Sequence, residues 1–274
     1  MEILSSLFEY HVIQALRNFR MGNQMLTSKT YKLSREKTGA LLQGLTMRKE
    51  DALTIFLPSG MTTDDVTAFL QKTPKTESIP YDAVRLAATS PTGSVLFWGS
   101  SQKCIILPPF PVKEKYVAGG YETEPLLSLI SKDYTIGIVL VRLGHFSVGV
   151  CQGEKLLLHD SGTGLIHGRH RQGGSSAARF QRRRKDQTHH FLERVSEHLQ
   201  EQLEPYARTL DYFVFGGARV TILRLQKQCH FLAQFENRLL PPLLEVPDPH
   251  FTVLEKSVTE IWSSKVTEWQ ENSS

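Results

Sequence analysis

Tyr134–His159 reads YTIGIVLVRLGHFSVGVCQGEKLLLH, and the fold follows from it. Apolar residues dominate Tyr134–Leu143, as expected of a strand covered on both faces, and the run is far too short to span a bilayer. Gly144-His145 predicts a tight hairpin turn, Phe146–Cys151 its antiparallel partner, and Lys155–His159 a third strand. Next comes a polar, glycine-rich loop, SGTGLIHGRHRQGG (Ser161–Gly174). A long helix is predicted over Ser176–Glu204, since no Gly or Pro interrupts the chain before Pro205. Its second half carries the stripe Phe191, Val195, Leu199 and Leu203, while its first half carries Arg179, Arg182, Arg183, Arg184 and Lys185 instead. Tyr212–Phe215 predicts another strand, Val220–Phe235 a helix and Val253–Trp269 a terminal helix. Strands mixed with covering helices make an α/β domain.

Upstream, Pro108-Pro109-Phe110-Pro111 breaks regular structure and is taken as a boundary, giving domains 1–107 and 108–274. In the first, Ala52–Leu57, Pro58-Ser59-Gly60 and Thr62–Lys72 predict strand, turn and helix. Pro74–Pro80 is a breaker-rich loop. Tyr81–Ala88 predicts a short helix, and Gly93–Trp98 with Cys104–Leu107 a hairpin, so this smaller domain is expected to be α+β. Phe8, Val12, Leu16 and Phe19 predict a helix at the start, and Arg35–Glu50 is weakly patterned.

At 274 residues, with 40% hydrophobic and 22% charged residues, the composition is that of a globular chain, not a disordered or collagen-like one. Three widely spaced cysteines (Cys104, Cys151, Cys229) argue against a disulfide framework and against a thiolate zinc site. The MEILSSLFEYHV start lacks a signal-peptide pattern, so a cytoplasmic protein without a membrane anchor is expected. Net charge is only +4, yet His167–Arg194 holds seven Arg and one Lys against Asp186 and Glu193. That segment carries +6 in 28 residues while the other 246 sum to −2, and four histidines add charge near a polyanion. Arginines in the first turns of a helix repel its dipole, on the order of 0.3–1 kcal/mol per badly placed charge. The arrangement makes sense if that end docks on phosphate; the bland alternative is a solvated basic face.

Gly173-Gly174 before the helix lets backbone N–H groups approach a ligand closely; a hinge capped by Ser175 or Ser176 is the plainer reading. The run HRQGGSSAARFQRRRKDQTHHFLERV, however, resembles the catalytic loop and helix of the eukaryotic and archaeal class-1 peptide-chain release factors. It also resembles their relatives that cleave peptidyl-tRNA on stalled ribosomes, above all bacterial members related to the eukaryotic ribosome quality-control hydrolase. The similarity rests on Gly173, Gly174, Ala177, Arg179, Phe180 and Arg182–Arg184. It extends through PPFP, ETEPLLSLI, the Ile136–Val150 hairpin and DYFVFGGA, and more faintly over Ala52–Leu107.

The resemblance implies a mixed-sheet, RNase H-like catalytic domain with a long basic helix, beside a reduced first domain. It implies ester hydrolysis of peptidyl-tRNA in the peptidyl-transferase centre, with Gln172, Gly173, Gly174 and Ser175 as the catalytic loop. Arg169, His170, Arg171, Arg179, Arg182, Arg183, Arg184 and Lys185 would contact RNA. The implied partners are large-subunit rRNA and peptidyl-tRNA, with further quality-control factors possible but neither DNA nor membrane; no cofactor and no metal is implied.

Two departures shape the reading. The family's glutamine is replaced by Ser175, whose hydroxyl has neither the reach nor the paired donors of an amide, so a noncatalytic factor occupying the same site is the alternative. Ser78–Gly93 is too short for the helical pair that reads stop codons, and no room is expected for a third, GTPase-recruiting domain. A codon-independent rescue role is therefore expected. Gly162-Thr-Gly164…Gly168 superficially matches a dinucleotide loop but leads into arginines rather than an amphipathic helix. The histidines lack a ligand pattern, and Cys229-His230, Trp98, Trp262 and Trp269 are expected to pack.

Overall fold

A computed structural model describes residues 17–21, 24–164 and 175–271. The chain forms two compact units, Met1–Ser131 with Trp262–Ser274, and Lys132–Ile261.

The first unit contains β1 (Arg17–Met21), β2 (Gln24–Leu33), α1 (Arg35–Thr46), β3 (Ala52–Leu57), α2 (Thr63–Gln71), α3 (Tyr81–Thr89), β4 (Ser94–Gly99), β5 (Lys103–Leu107), β6 (Tyr116–Gly119) and α4 (Glu124–Ser131). Its seven-stranded antiparallel sheet runs β1-β2-β11-β5-β4-β3-β6, where β11 is Ser264–Glu271. Side chains alternate between two cores, as the two-residue period of a strand requires. Val95 and Phe97 pack with Leu42, Leu45, Leu126 and Ile130 of α1 and α4. Leu96 and Trp98 pack with Val66, Leu70, Ala83 and Val84 of α2 and α3. Local signals set the helices. Ser34 caps α1 through the Lys37 N–H, and Thr62 and Asp65 form a reciprocal capping box on α2.

The second unit contains β7 (Thr135–Arg142), β8 (His145–Gln152), β9 (Lys155–Thr163), α5 (Ser175–Leu203), β10 (Tyr212–Gly217), α6 (Arg219–Gln228), a 3₁₀ helix (His230–Arg238) and α7 (Phe251–Ile261). The sheet order is β10-β7-β8-β9, with β10 parallel to β7 and the other pairs antiparallel. Gly144 turns the β7–β8 hairpin at φ +98°, a conformation side chains disfavour. α5 and α6 bury Val195, Leu199, Ile222 and Leu225 against Val139, Val141 and Val148. On the opposite pleat, Gly149 faces Leu254 of α7 so closely that an added Cβ would stand 2.9 Å from its Cδ2. The mixed sheet with helices on both faces and one long basic helix is the expected α/β architecture.

Several boundaries differ from expectation. The Pro108 region lies inside the first unit: Phe110 is fully buried, the Thr92 hydroxyl donates to the Pro108 carbonyl and the Val112 N–H to Thr92. The compact units divide after Ser131 and again before Trp262. The terminal helix stops at Ile261, and Ser264–Glu271 is a strand paired with both β2 and β5. The helix expected through Phe19 is not present there, since Arg17–Met21 is a strand; residues 1–16 are outside the described residues. Arg35–Thr46, weakly patterned, is a regular helix. The helix expected to Phe235 ends at Gln228 and continues as a 3₁₀ turn. No helix among the described residues is long and apolar enough to cross a membrane.

Candidate functional site

α5 is 29 residues long, roughly 43 Å at 1.5 Å per residue. Its two halves have opposite surroundings. Phe191, Leu192, Val195, Leu199 and Leu203 are buried in the core of the second unit. Upstream, Arg179, Phe180, Gln181, Arg182, Arg183, Lys185 and Asp186 are exposed. Thr188 is the first buried side chain along the described part of the helix, and its hydroxyl donates to the Arg184 carbonyl at 2.8 Å.

Among the described residues, Arg179, Arg182, Arg183 and Lys185 enter no ion pair. Their charge is thus available to an external anion. Arg184 differs. It lies on the helical face that Thr188, Phe191 and Val195 continue inward, is half-buried, and its Nη1 is shielded from solvent without a hydrogen-bond partner among the described residues. A shielded guanidinium nitrogen without an acceptor is unfavourable by itself.

Ser175 is the first residue of α5. Gln172, Gly173 and Gly174, with Arg169, His170 and Arg171, lie outside the described residues. What is described is how the chain leading into that segment is held. The Gly164 N–H donates to the Gly144 carbonyl at 2.8 Å, and Arg194 Nη2 donates to the Thr163 carbonyl at 3.1 Å. Three residues back along β9, Asp160 faces His198 of α5, with Oδ2 3.0 Å from Nδ1. A Cβ at Gly164 would stand 2.5 Å from Phe191 Cδ2 and 2.8 Å from Arg194 Nη2. The end of β9 and the buried half of α5 are therefore fastened together at three successive points, Asp160, Thr163 and Gly164.

Sequence reading missed this fastening. Its only trace there was Gly162-Thr-Gly164, weighed as a dinucleotide loop. Gly162 instead sits in β9, where an added Cβ would stand 2.4 Å from the Phe146 ring, so this glycine serves packing. Cys229 is buried behind α6 and joins the same core. Trp98 packs as expected, its indole N–H donating to Ser78 at 2.8 Å. Among the described residues, no group of three His, Cys, Asp or Glu is placed to hold a metal ion. Between Ser78 and Gly93 the chain builds only the nine-residue α3.

Residues 134–267, just under half of the chain, match the model of a family described as the Actinobacteria/chloroflexi VLRF1 release factor. Peptide chain release factor subunit 1 of Archaeoglobus fulgidus is 31% identical over 119 residues, 43% of this chain and 29% of that protein. The match thus spans under a third of that curated relative's length. The Aeropyrum pernix protein of the same name is 25% identical over 245 residues, 80% of this chain and 65% of its own. Among solved structures, the Vms1 mitochondrial localization core aligns with 73% of this chain and 79% of its own at 13% identity and a TM-score of 0.40.

Proposed function

We propose, for a chain that is a relative of the release-factor superfamily, a ribosome-associated role in which the peptidyl-tRNA ester is hydrolysed on stalled ribosomes without reading a stop codon. The observation that carries this reading is the division of α5. One half is locked in the core, and the other presents Arg179, Arg182, Arg183 and Lys185 to solvent without partners among the described residues. A helix whose exposed half is cationic and whose other half is packed suits insertion into a cavity lined with phosphate, where charge complementarity steers and holds it. Codon independence is supported by the lack of room for a helical pair between Ser78 and Gly93.

In this reading Gly173 and Gly174 let the loop backbone approach the tRNA end, and Ser175 at the start of α5 offers its main-chain N–H. Water adds to the ester carbonyl carbon, the 3′ oxygen of the terminal adenosine leaves and takes a proton, and a free peptide carboxyl results. The ribosome supplies much of the orientation and electrostatic stabilisation. Arg169, His170 and Arg171, which precede the glycines in sequence, would contact RNA alongside the exposed arginines, and the half-buried Arg184 would do so through the part of its guanidinium that is not shielded. The setting would be cytoplasmic.

Stalled ribosome–nascent-chain complexes incubated with the protein and run on a gel separating peptidyl-tRNA from free peptide test this. Cleavage above background is expected, with Gly174→Ala losing about 100-fold, since small misplacements of a reacting group cost on that order. A second reading follows from Ser175, which stands where the family has glutamine: a factor that occupies the site without cleaving. Ribosome binding with no cleavage at saturating protein selects it.

A further inference from the structure

Helix α6 carries a second cationic face, without an ion-pair partner among the described residues. Arg219, Val220, Leu223, Arg224 and Lys227 are all exposed, while Thr221, Ile222 and Leu225 are buried. At about 100° per residue the five exposed side chains fall within roughly 140° of arc. No Asp or Glu occurs between Asp211 and Glu236, and the three cations enter no ion pair among the described residues. Val220 and Leu223 stand among them at 64% and 49% exposure, so the face is not an ordinary solvated one.

The position of this face is fixed by a contact with α5. Gln228 Nε2 donates to the His189 carbonyl at 3.1 Å, and the arc carrying Arg224 adjoins Gln228 on α6. The only carboxylates on the adjoining turns of α5 are Asp186 and Glu193, and Glu193 lies 3.3 Å from the His190 ring. His189 is 14 positions beyond Ser175, roughly 21 Å along the helix axis.

We infer that the Arg219–Arg224–Lys227 face of α6 is a second RNA-docking surface, which grips the sugar-phosphate backbone of large-subunit ribosomal RNA. The inference rests on the ribosome-associated reading of α5. If the start of α5 meets the 3′ end of tRNA, a surface some 20 Å behind it faces the wall of the cavity, and that wall is rRNA. Three cations with no carboxylate on their own helix match a polyanion, and the two aliphatic side chains between them suit contact with ribose.

The test compares two full-length variants, Arg219→Gln/Arg224→Gln/Lys227→Gln on α6 and Arg182→Gln/Arg183→Gln/Arg184→Gln on α5, by co-sedimentation with large subunits over a salt series. The α6 variant is expected to bind about ten-fold more weakly, with the slope of log K against log salt reduced by about 2. Its far-UV circular dichroism and thermal midpoint should be unchanged, because all three positions are exposed. Unchanged affinity and slope for the α6 variant, while the α5 variant loses binding, overturns the inference and leaves the proposed function standing. Unchanged binding by both variants overturns that function too. Val220→Ser/Leu223→Ser losing affinity when the α6 charge variant does not would assign the face to a protein partner. Weaker binding of the α6 variant to free tRNA but not to subunits would assign it to tRNA. Either result counts against the rRNA assignment.

Discussion

Gly164 shows how much one hydrogen atom can decide. Phe191 is buried and packed against Phe146 with ring centroids 6.4 Å apart, so its ring cannot swing away from a methyl group at position 164. Gly164→Ala is expected to destabilise the second unit by about 1–3 kcal/mol, as overpacking typically does, measured by urea denaturation. Arg194→Gln loses the bond to the Thr163 carbonyl without steric insult and should leave urea stability nearly unchanged; on the proposed function, its effect should show in the peptidyl-tRNA cleavage assay instead. A second residue-scale prediction concerns Glu50. Partial burial works to raise its pKa, but hydrogen bonds from the Tyr121 hydroxyl, the Ser100 hydroxyl and Ser101 outweigh this and hold the carboxyl at about 2, below its ordinary 4.5. With the folded value depressed, the carboxylate contributes stability above pH 4.5 that fades as pH falls toward about 2. Glu50→Gln should flatten that part of the stability–pH curve, as read by denaturation at pH 5 against pH 3. An unaltered curve would show that the hydrogen bonds do not distinguish the folded from the unfolded chain.

Among the elements, α5 invites a double dissociation. Val195→Ala or Leu199→Ala removes fully buried carbon and should cost about 1–4 kcal/mol of stability. Arg182→Gln with Arg183→Gln, in the third turn of α5, removes like charges crowded at i,i+3 and i,i+4 beside Arg179, so stability should hold or rise by a few tenths of a kcal/mol while, on the proposed function, ribosome binding falls. A parallel loss of both properties in either set would show that the two halves are not independent. The apolar stripe of α5 was legible because Phe191, Val195, Leu199 and Leu203 repeat at one helical spacing and nothing else competes. The hairpin was legible because a nearly continuous apolar run and a strand alternating Phe146, Val148 and Val150 with small residues flank a glycine turn. β11 was not legible for an equally physical reason. Val258, Trp262, Val266 and Trp269 are spaced by four, four and three, which is helical spacing. Only the presence of β2 and β5 on either side shows that Val266 and Trp269 point to opposite faces of a sheet. The fastening at Asp160, Thr163 and Gly164 was hidden because each of its partners is 27 to 38 positions away in sequence.

At the scale of the whole molecule, the first unit is discontinuous in sequence, and β11 is not an edge of its sheet but sits between β2 and β5. Removing residues 262–274 would leave two strands with unpaired backbone groups in the middle of the unit and expose the partners of Trp262, Val266 and Trp269. Such a truncation is expected to unfold the first unit as a whole while the contiguous Lys132–Ile261 unit keeps its protection, as hydrogen exchange would register. Retained protection of β3, β4 and β5 in the truncated chain would refute this.

The interleaved architecture also orders events during biosynthesis. A nascent chain emerging from the exit tunnel delivers β2 and β5 long before the strand that must lie between them. The lengths encoding the Lys132–Ile261 unit appear in one piece and can condense while the earlier half waits. The first sheet therefore cannot close until after the second unit has been synthesised, and the facing edges of β2 and β5 stay unpaired in the interval before the closing strand appears.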